Sequence, residues 1–138
     1  MPRRTLSRQD LRFLARERVV RLATAARDGT PWVVPVCHAV EAGRIYVGSA
    51  ATGRKITNVR RTGKVSLVAD RYTERWATLR GVALIGRAEV FDRGPVFERG
   101  RRLLYRKYPQ YARAAPLEPG DSVIIRITPL HVVSWSGA

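Results

Sequence analysis

Several things are scarce in this 138-residue sequence. It holds one cysteine, Cys37, one methionine, and two histidines, His38 and His131. A lone thiol excludes an intramolecular disulfide, and no Cys/His spacing matches a structural zinc site. Acidic residues are few, with 11 Asp and Glu against 26 Lys and Arg, for a net charge of +15. No run approaches the roughly 20 apolar residues that cross a bilayer. The start, "MPRRTLSRQD", is basic but has no apolar run behind it, which argues against a secretory signal. These absences lead us to expect a soluble cytoplasmic protein with no membrane partner. No glycine-rich phosphate loop follows a strand, so Rossmann and P-loop readings lack support. There is no Ser-His-Asp set, no paired carboxylate motif and no metal cluster. No catalytic residue and no metal ligand is therefore assigned.

What is present is an ordinary globular composition, 45% hydrophobic and 27% charged. The length suits a single domain over residues 1–138 with a real core. Arginine supplies all of the basic residues except Lys55, Lys64 and Lys107. Such a surplus suits nucleic acid, an acidic surface or an anionic small molecule. It is scattered from Arg3 to Arg126 and forms no block, which weakens the reading of a nucleic-acid tail.

The apolar periodicity changes along the chain. "LSRQDLRFLARERVV" opens with Ser7 and Asp10 in a short relative of the capping box, predicting a helix from about Arg8 to Glu17. "VVRLATAA" alternates as a strand does, and Asp28-Gly29 signals a hairpin. "PWVVPVCHAV" reads as the return strand. Pro35 inside it lacks the amide of a central ladder and belongs at an edge, bulge or opening. "EAGR" is a turn and "RIYVGSA" a third strand. A short helix, the strand "KVSLVAD" and a long strand "ATLRGVALIGRAEVF" follow, with bends or bulges expected at Gly81 and Gly86. "GPVFERGRRLLYRKYP" is a helix burying Val96, Phe97, Gly100, Leu103, Leu104 and Tyr108. "SVIIRITP" and "LHVVSWSG" read as a closing pair of strands. Tight turns between dominant strands predict a mainly β protein, an antiparallel barrel with helices packed outside.

Within "GRKITNVRRTGKVSLV", Arg54 and Lys55 begin a helix just after a strand ends near Ser49. Free amides at a helix N-terminus favour an anion, and two basic side chains there add charge-assisted hydrogen bonds. Asn58, one turn on, can project on the same side. The constellation fits a phosphate. The same residues, with Arg60 and Arg61, equally describe a solvated helix face.

An ordered set of stretches covers nearly the whole chain: "VVRLATAARDGTPWVVPVCHAV", "RIYVGSA", "GRKITNVRRTGKVSLVAD", "GVALIGRAEVF", "YRKYPQY" and "HVVSWSG". Together they resemble the split β-barrel flavoproteins of the pyridoxamine-phosphate-oxidase-like superfamily, and within it the branch that uses the deazaflavin coenzyme F420. The resemblance implies a split antiparallel barrel and a homodimer with cofactor sites at the interface. It implies that Arg54 and Lys55 hold the cofactor phosphate, with Asn58 and Ser49 beside it. Val33, Val34, Pro35 and Val36 would line the ring. Trp76, Arg80 and Trp135 are further candidates for the ring or tail, contributed by the partner subunit.

The activity so implied is hydride transfer between coenzyme F420 and an unsaturated organic substrate. Such a protein aligns and shields the reacting carbon and needs no side-chain nucleophile. FMN, in an oxidase or reductase of the same fold, is the alternative cofactor. The deazaflavin's phosphodiester and glutamate tail need a longer positive track, to which Arg60, Arg61, Arg71, Arg75 and Arg80 could contribute. Activity as a pyridoxamine-phosphate oxidase itself is not expected, because "HVVSWSGA" ends without an arginine-histidine pair. A non-enzymatic binder of an anionic cofactor or of nucleic acid is a third reading. It is disfavoured because the aromatics of "YRKYPQY" are expected to pack under a helix. His38 is a structural histidine or a proton donor, and Cys37 a small core residue.

Overall fold

Ser7 starts the first helix as expected. Its hydroxyl accepts from the Asp10 amide at 3.1 Å, and the Asp10 carboxylate accepts from the Ser7 amide at 2.9 Å. This reciprocal cap opens α1 (Arg8–Arg16), whose Phe13 and Leu14 are buried. In the computed structural model, which describes residues 3–137, the chain continues as β1 (Val20–Ala25), β2 (Pro31–Val36), β3 (Ala39–Glu41) and β4 (Arg44–Ala50). It goes on through α2 (Arg54–Thr62), β5 (Lys64–Arg71), a 3₁₀ turn (Trp76–Thr78) and β6 (Arg80–Phe91). α3 (Pro95–Lys107), α4 (Tyr111–Ala114) and β7 (Ser122–Ser136) complete it.

The seven strands form one antiparallel sheet in the order β2-β1-β5-β6-β7-β4-β3. β2 and β3 are thus opposite edges, yet only Cys37 and His38 separate them in sequence. Three Cα steps reach at most about 11 Å, so the sheet must curl until its edges nearly meet. The result is a half-barrel split at one seam, the expected fold class. The reading of "PWVVPVCHAV" as one strand is corrected here, because the chain leaves one edge at Val36 and joins the other at Ala39.

Two further boundaries differ from expectation. The closing pair of strands is a single 15-residue strand, β7. Ile85 pairs with His131 but Gly86 pairs with Pro129, so Leu130 is an extra residue in a bulge that carries the strand past a proline without an amide. Gly86 therefore sits at a bulge, as predicted. The strand expected from Ala77 begins at Arg80, because residues 76–78 take the 3₁₀ turn.

Alternation along the strands creates two cores. Leu22, Leu67, Leu84, Ile125 and Val132 point into the barrel, where α1 and α2 add Leu14, Ile56 and Val59. On the other side of the sheet, Tyr46 and Ile124 meet Phe97 and Leu104 of α3 and Tyr108 just past its end. The α3 stripe read from the sequence is the one buried, with Val96 and Leu103 half-buried at its margin. β4 and the first half of β7 are therefore covered on both faces. The outer face of β2, β1, β5, β6 and late β7 carries exposed Val33, Ile85 and Val133 around a shallow groove of about 290 Å³.

Candidate functional site

β4 ends at Ala50, and the loop turns into α2 through Gly53, whose φ of 121° lies outside the range most side chains adopt. Among the described residues no side chain caps this helix, and its first turn has no acidic residue. The first-turn amides therefore remain available to an external acceptor. Lys55, on this first turn, is half-buried, and burial lowers the pKa of its ammonium group. Among the described residues, the ion pairs within 4.0 Å involve other cations, so neither Arg54 nor Lys55 has a carboxylate partner. The Arg54 guanidinium lies 4.2 Å from the centre of the Trp32 ring, which joins the start of α2 to the start of edge strand β2.

The structure distributes the other candidates around this point. Ser49 is buried at the end of β4, its hydroxyl donating to the Ala50 carbonyl at 2.9 Å. Asn58 is also buried and donates to the Thr24 hydroxyl at 3.0 Å, tying α2 to β1. On β2, Val33 and Pro35 are exposed, whereas Val34 and Val36 turn inward. Pro35 lies on an edge strand, one of the positions its missing amide allows. A planar group beside β2 would meet the Val33 and Pro35 side chains and an unpaired backbone edge.

Trp76 and Arg80 are not brought to this point within one chain. The α2 N-terminus adjoins the end of the sheet where Ala25 pairs with Pro31, whereas Arg80 pairs with Arg71 and Ser136 at the opposite end. There Arg80 donates to the Gln9 carbonyl at 3.0 Å and stacks on Phe13 with 4.9 Å to the ring centre. Trp76 is 73% exposed. Trp135 lies flat on Gly81, where a Cβ would come within 2.1 Å of its ring, and its indole N–H donates to the Tyr72 hydroxyl at 3.0 Å. The basic track considered above is likewise divided. Arg60 and Arg61 end α2, with Arg61 donating to the Ala25 carbonyl at 2.6 Å, whereas Arg71 pairs with Glu17 at the far end.

His38 is structural. It is fully buried at the corner between β2 and β3, with Nε2 2.6 Å from the Leu14 carbonyl. Burial, Lys107 and Arg18 hold its pKa down at about 4, although the Leu14 contact pulls the other way. It is therefore neutral at neutral pH and donates Nε2–H to Leu14, with Nδ1 unpartnered among the described residues. The Tyr108 hydroxyl accepts from the His38 amide at 3.1 Å and lies 2.8 Å from the Arg18 carbonyl. Lys107 donates to the Glu17 carbonyl at 2.7 Å, and burial first, then Arg18, pulls its pKa down to about 8. The sequence reading did not foresee this Lys107–Tyr108 clamp. The only signal was the aromatic run "YRKYPQY", which does not reveal what its polar atoms hold.

Comparisons with known proteins agree with this architecture. A conserved hypothetical protein from Mycobacterium tuberculosis superposes with a TM-score of 0.80 at 25% identity, over 95% of this chain and 85% of that one. An FAD-binding protein from Mesorhizobium loti gives 0.74 at 27% identity, over 97% and 96% of the two chains. A structure described as an F420 reductase gives 0.71 at 21% identity, over 88% and 94%, a likeness of fold. No curated protein matches the sequence at a significant level. The family model described as pyridoxamine 5′-phosphate oxidase matches residues 6–136, nearly the full length. With its curled seven-stranded sheet and flanking helices, the chain belongs to the pyridoxamine 5′-phosphate oxidase family.

Proposed function

We propose that the chain is an oxidoreductase that moves a hydride between the deazaflavin coenzyme F420 and an unsaturated organic substrate. The observation that carries this reading is Lys55, half-buried on the first turn of an uncapped helix, with no carboxylate partner within 4.0 Å among the described residues. A withdrawn, unpaired cation is costly, and a bound phosphate offsets that cost. Arg54 supplies a second charge, preorganised by its stacking on Trp32. Family membership and the FAD-binding and F420-reductase neighbours support a cofactor of the flavin type.

When bound, the coenzyme supplies a hydride at a ring carbon. The chain's part is to fix that ring. Val33 and Pro35 give an apolar wall, and the unpaired edge of β2 gives backbone donors and acceptors for the ring's polar rim. The positive charge continues along α2 to Arg60, a direction that suits a phosphodiester with an anionic tail.

The partner in this reading is a second copy. The uncovered sheet face, with Val33, Ile85 and Val133 exposed around its groove, is apolar enough to be buried in an isologous dimer. Such a pairing would let Trp76 and Arg80 of one subunit complete the site begun by Arg54 and Lys55 of the other.

The test is a titration of the purified protein with coenzyme F420 and with FMN, followed by tryptophan fluorescence. Trp32 under Arg54 makes the emission sensitive to occupancy. We expect binding in the micromolar range or tighter for F420, weakened at least tenfold in Lys55→Ala. Tighter FMN binding would replace the deazaflavin with a flavin, and binding of neither would refute the assignment.

A further inference from the structure

In the proposed dimer Arg80 and Trp76 complete the coenzyme site of the partner, so the cleft that Arg80 lines belongs to that site. It opens between α1, the start of β6 and the end of β7, with a volume of about 510 Å³. Thr78, on the 3₁₀ turn that carries Trp76, lines it too, as do Arg3, Arg12, Arg16 and Arg71. Arg3 is compensated by Asp10 and Arg71 by Glu17. The Asp10 carboxylate already accepts from Arg3 at 2.8 Å, the Ser7 amide at 2.9 Å and the Ser134 hydroxyl at 2.7 Å. Arg12, Arg16 and Arg80 have no carboxylate partner among the described residues. Arg12 and Arg16 are exposed and stand one turn apart on the same side of α1. Arg80 is half-buried and fixed by its hydrogen bond to the Gln9 carbonyl and its stacking on Phe13. Much of the remaining lining is Ser, Thr and Gln over the buried Phe13, so charge decides what binds.

We propose that these three arginines select the substrate of the coenzyme site, an α,β-unsaturated acid with two carboxylates. The inference rests on the F420 reading and its dimer, which assign the phosphate and the anionic tail to α2 and leave the cleft cations to the hydride acceptor. Arg80, the one that reaches the coenzyme site, holds the carboxylate conjugated to the reacting double bond. The Arg12–Arg16 pair holds the second carboxylate through parallel hydrogen bonds. A free carboxylate deactivates a double bond toward hydride, and a guanidinium that neutralises it restores the electron sink. The β-carbon of the acid takes the hydride, its π pair moves to the α-carbon, and solvent supplies the proton there. Two electrons thus pass from the reduced coenzyme to the acid, and the proton released by that oxidation replaces the one drawn from solvent.

The test is calorimetric titration of the full chain, first with oxidised coenzyme F420 and then, once loaded, with trans,trans-muconate or with sorbate, the same diene chain bearing one carboxylate. We expect muconate to bind at least tenfold more tightly than sorbate. Arg12→Ala/Arg16→Ala should bring the two within twofold of each other and change coenzyme affinity less than twofold. Arg102→Ala/Arg106→Ala, which removes the same charge from the exposed side of α3, should leave the muconate margin intact. With reduced coenzyme, muconate should be reduced faster than its dimethyl ester, although the ester is intrinsically the better hydride acceptor. Equal loss in the α3 variant would reduce the effect to bulk charge, and a tenfold loss of coenzyme affinity in Arg12→Ala/Arg16→Ala would give the cleft to the coenzyme tail. Either result, faster turnover of the ester, or F420 binding without muconate binding overturns this proposal and leaves the F420 assignment standing. No binding of F420 in the first titration refutes both.

Discussion

Lys55 and His38 are both basic side chains withdrawn from water, and their surroundings give them different roles. Among the described residues Lys55 has no carboxylate partner to offset its burial, and in the proposed reading a bound phosphate does so. His38 answers the same cost by remaining neutral and donating to the Leu14 carbonyl. Its pKa is about 6.5 in the unfolded chain and about 4 in the fold. As the pH falls through 6.5 the unfolded state takes up a proton that the folded state refuses, so stability declines until about pH 4. Between pH 7 and 5 this one group should cost about 2 kcal/mol. Urea unfolding at the two pH values checks the slope, which His38→Gln should abolish; an unchanged slope would mean that the ring is protonated in place. Asn58 offers a simpler case. Its amide is buried on Thr24, and Asn58→Ala should destabilise the protein by about 1–3 kcal/mol in the same assay.

Among the elements, those governed by local signals were legible in the sequence. Ser7 with Asp10 announced α1, Asp28-Gly29 the first hairpin, and the apolar spacing from Phe97 to Tyr108 the buried side of α3. What local pattern could not show was where strands lie relative to one another. "PWVVPVCHAV" has an unbroken β character, and only the order of the sheet reveals that it crosses from one edge to the other at Cys37-His38. Pro129 likewise looked like the end of a strand, because the bulge at Leu130 depends on its partner Gly86. The candidate site divides along the same line. Arg54 and Lys55 share a helical turn and were readable together, whereas Arg80 and Trp76 are placed by tertiary structure at the far end. Gly81 shows why element contacts matter there, since its missing Cβ leaves room for the Trp135 ring. Gly81→Val should lift that ring and red-shift the tryptophan emission. Unchanged emission would show that the indole does not rest on the strand.

On the scale of the whole molecule, the sheet is unevenly covered. α3 shields β4 and early β7, while the opposite stretch of outer face leaves Val33, Ile85 and Val133 in water. In the proposed dimer this face is buried against a second copy. Sedimentation velocity should find a dimer that Ile85→Asp/Val133→Asp converts to monomer, with F420 affinity falling along with it. A monomeric parent protein would remove the interface from the account. Among the described residues no helix is long and apolar enough to cross a membrane, and of the scattered basic residues behind the charge of +15, Arg54 and Lys55 stand at one end of the sheet and Arg12, Arg16 and Arg80 at the other. The α2 end is the one on which the redox assignment depends. A crystal structure of the protein with coenzyme F420 tests it most directly. The account predicts the phosphate within hydrogen-bonding distance of the Lys55 ammonium and the first-turn amides of α2, with the ring against β2. A phosphate bound instead among Arg12, Arg16 and Arg80, with Lys55 left bare, would contradict it.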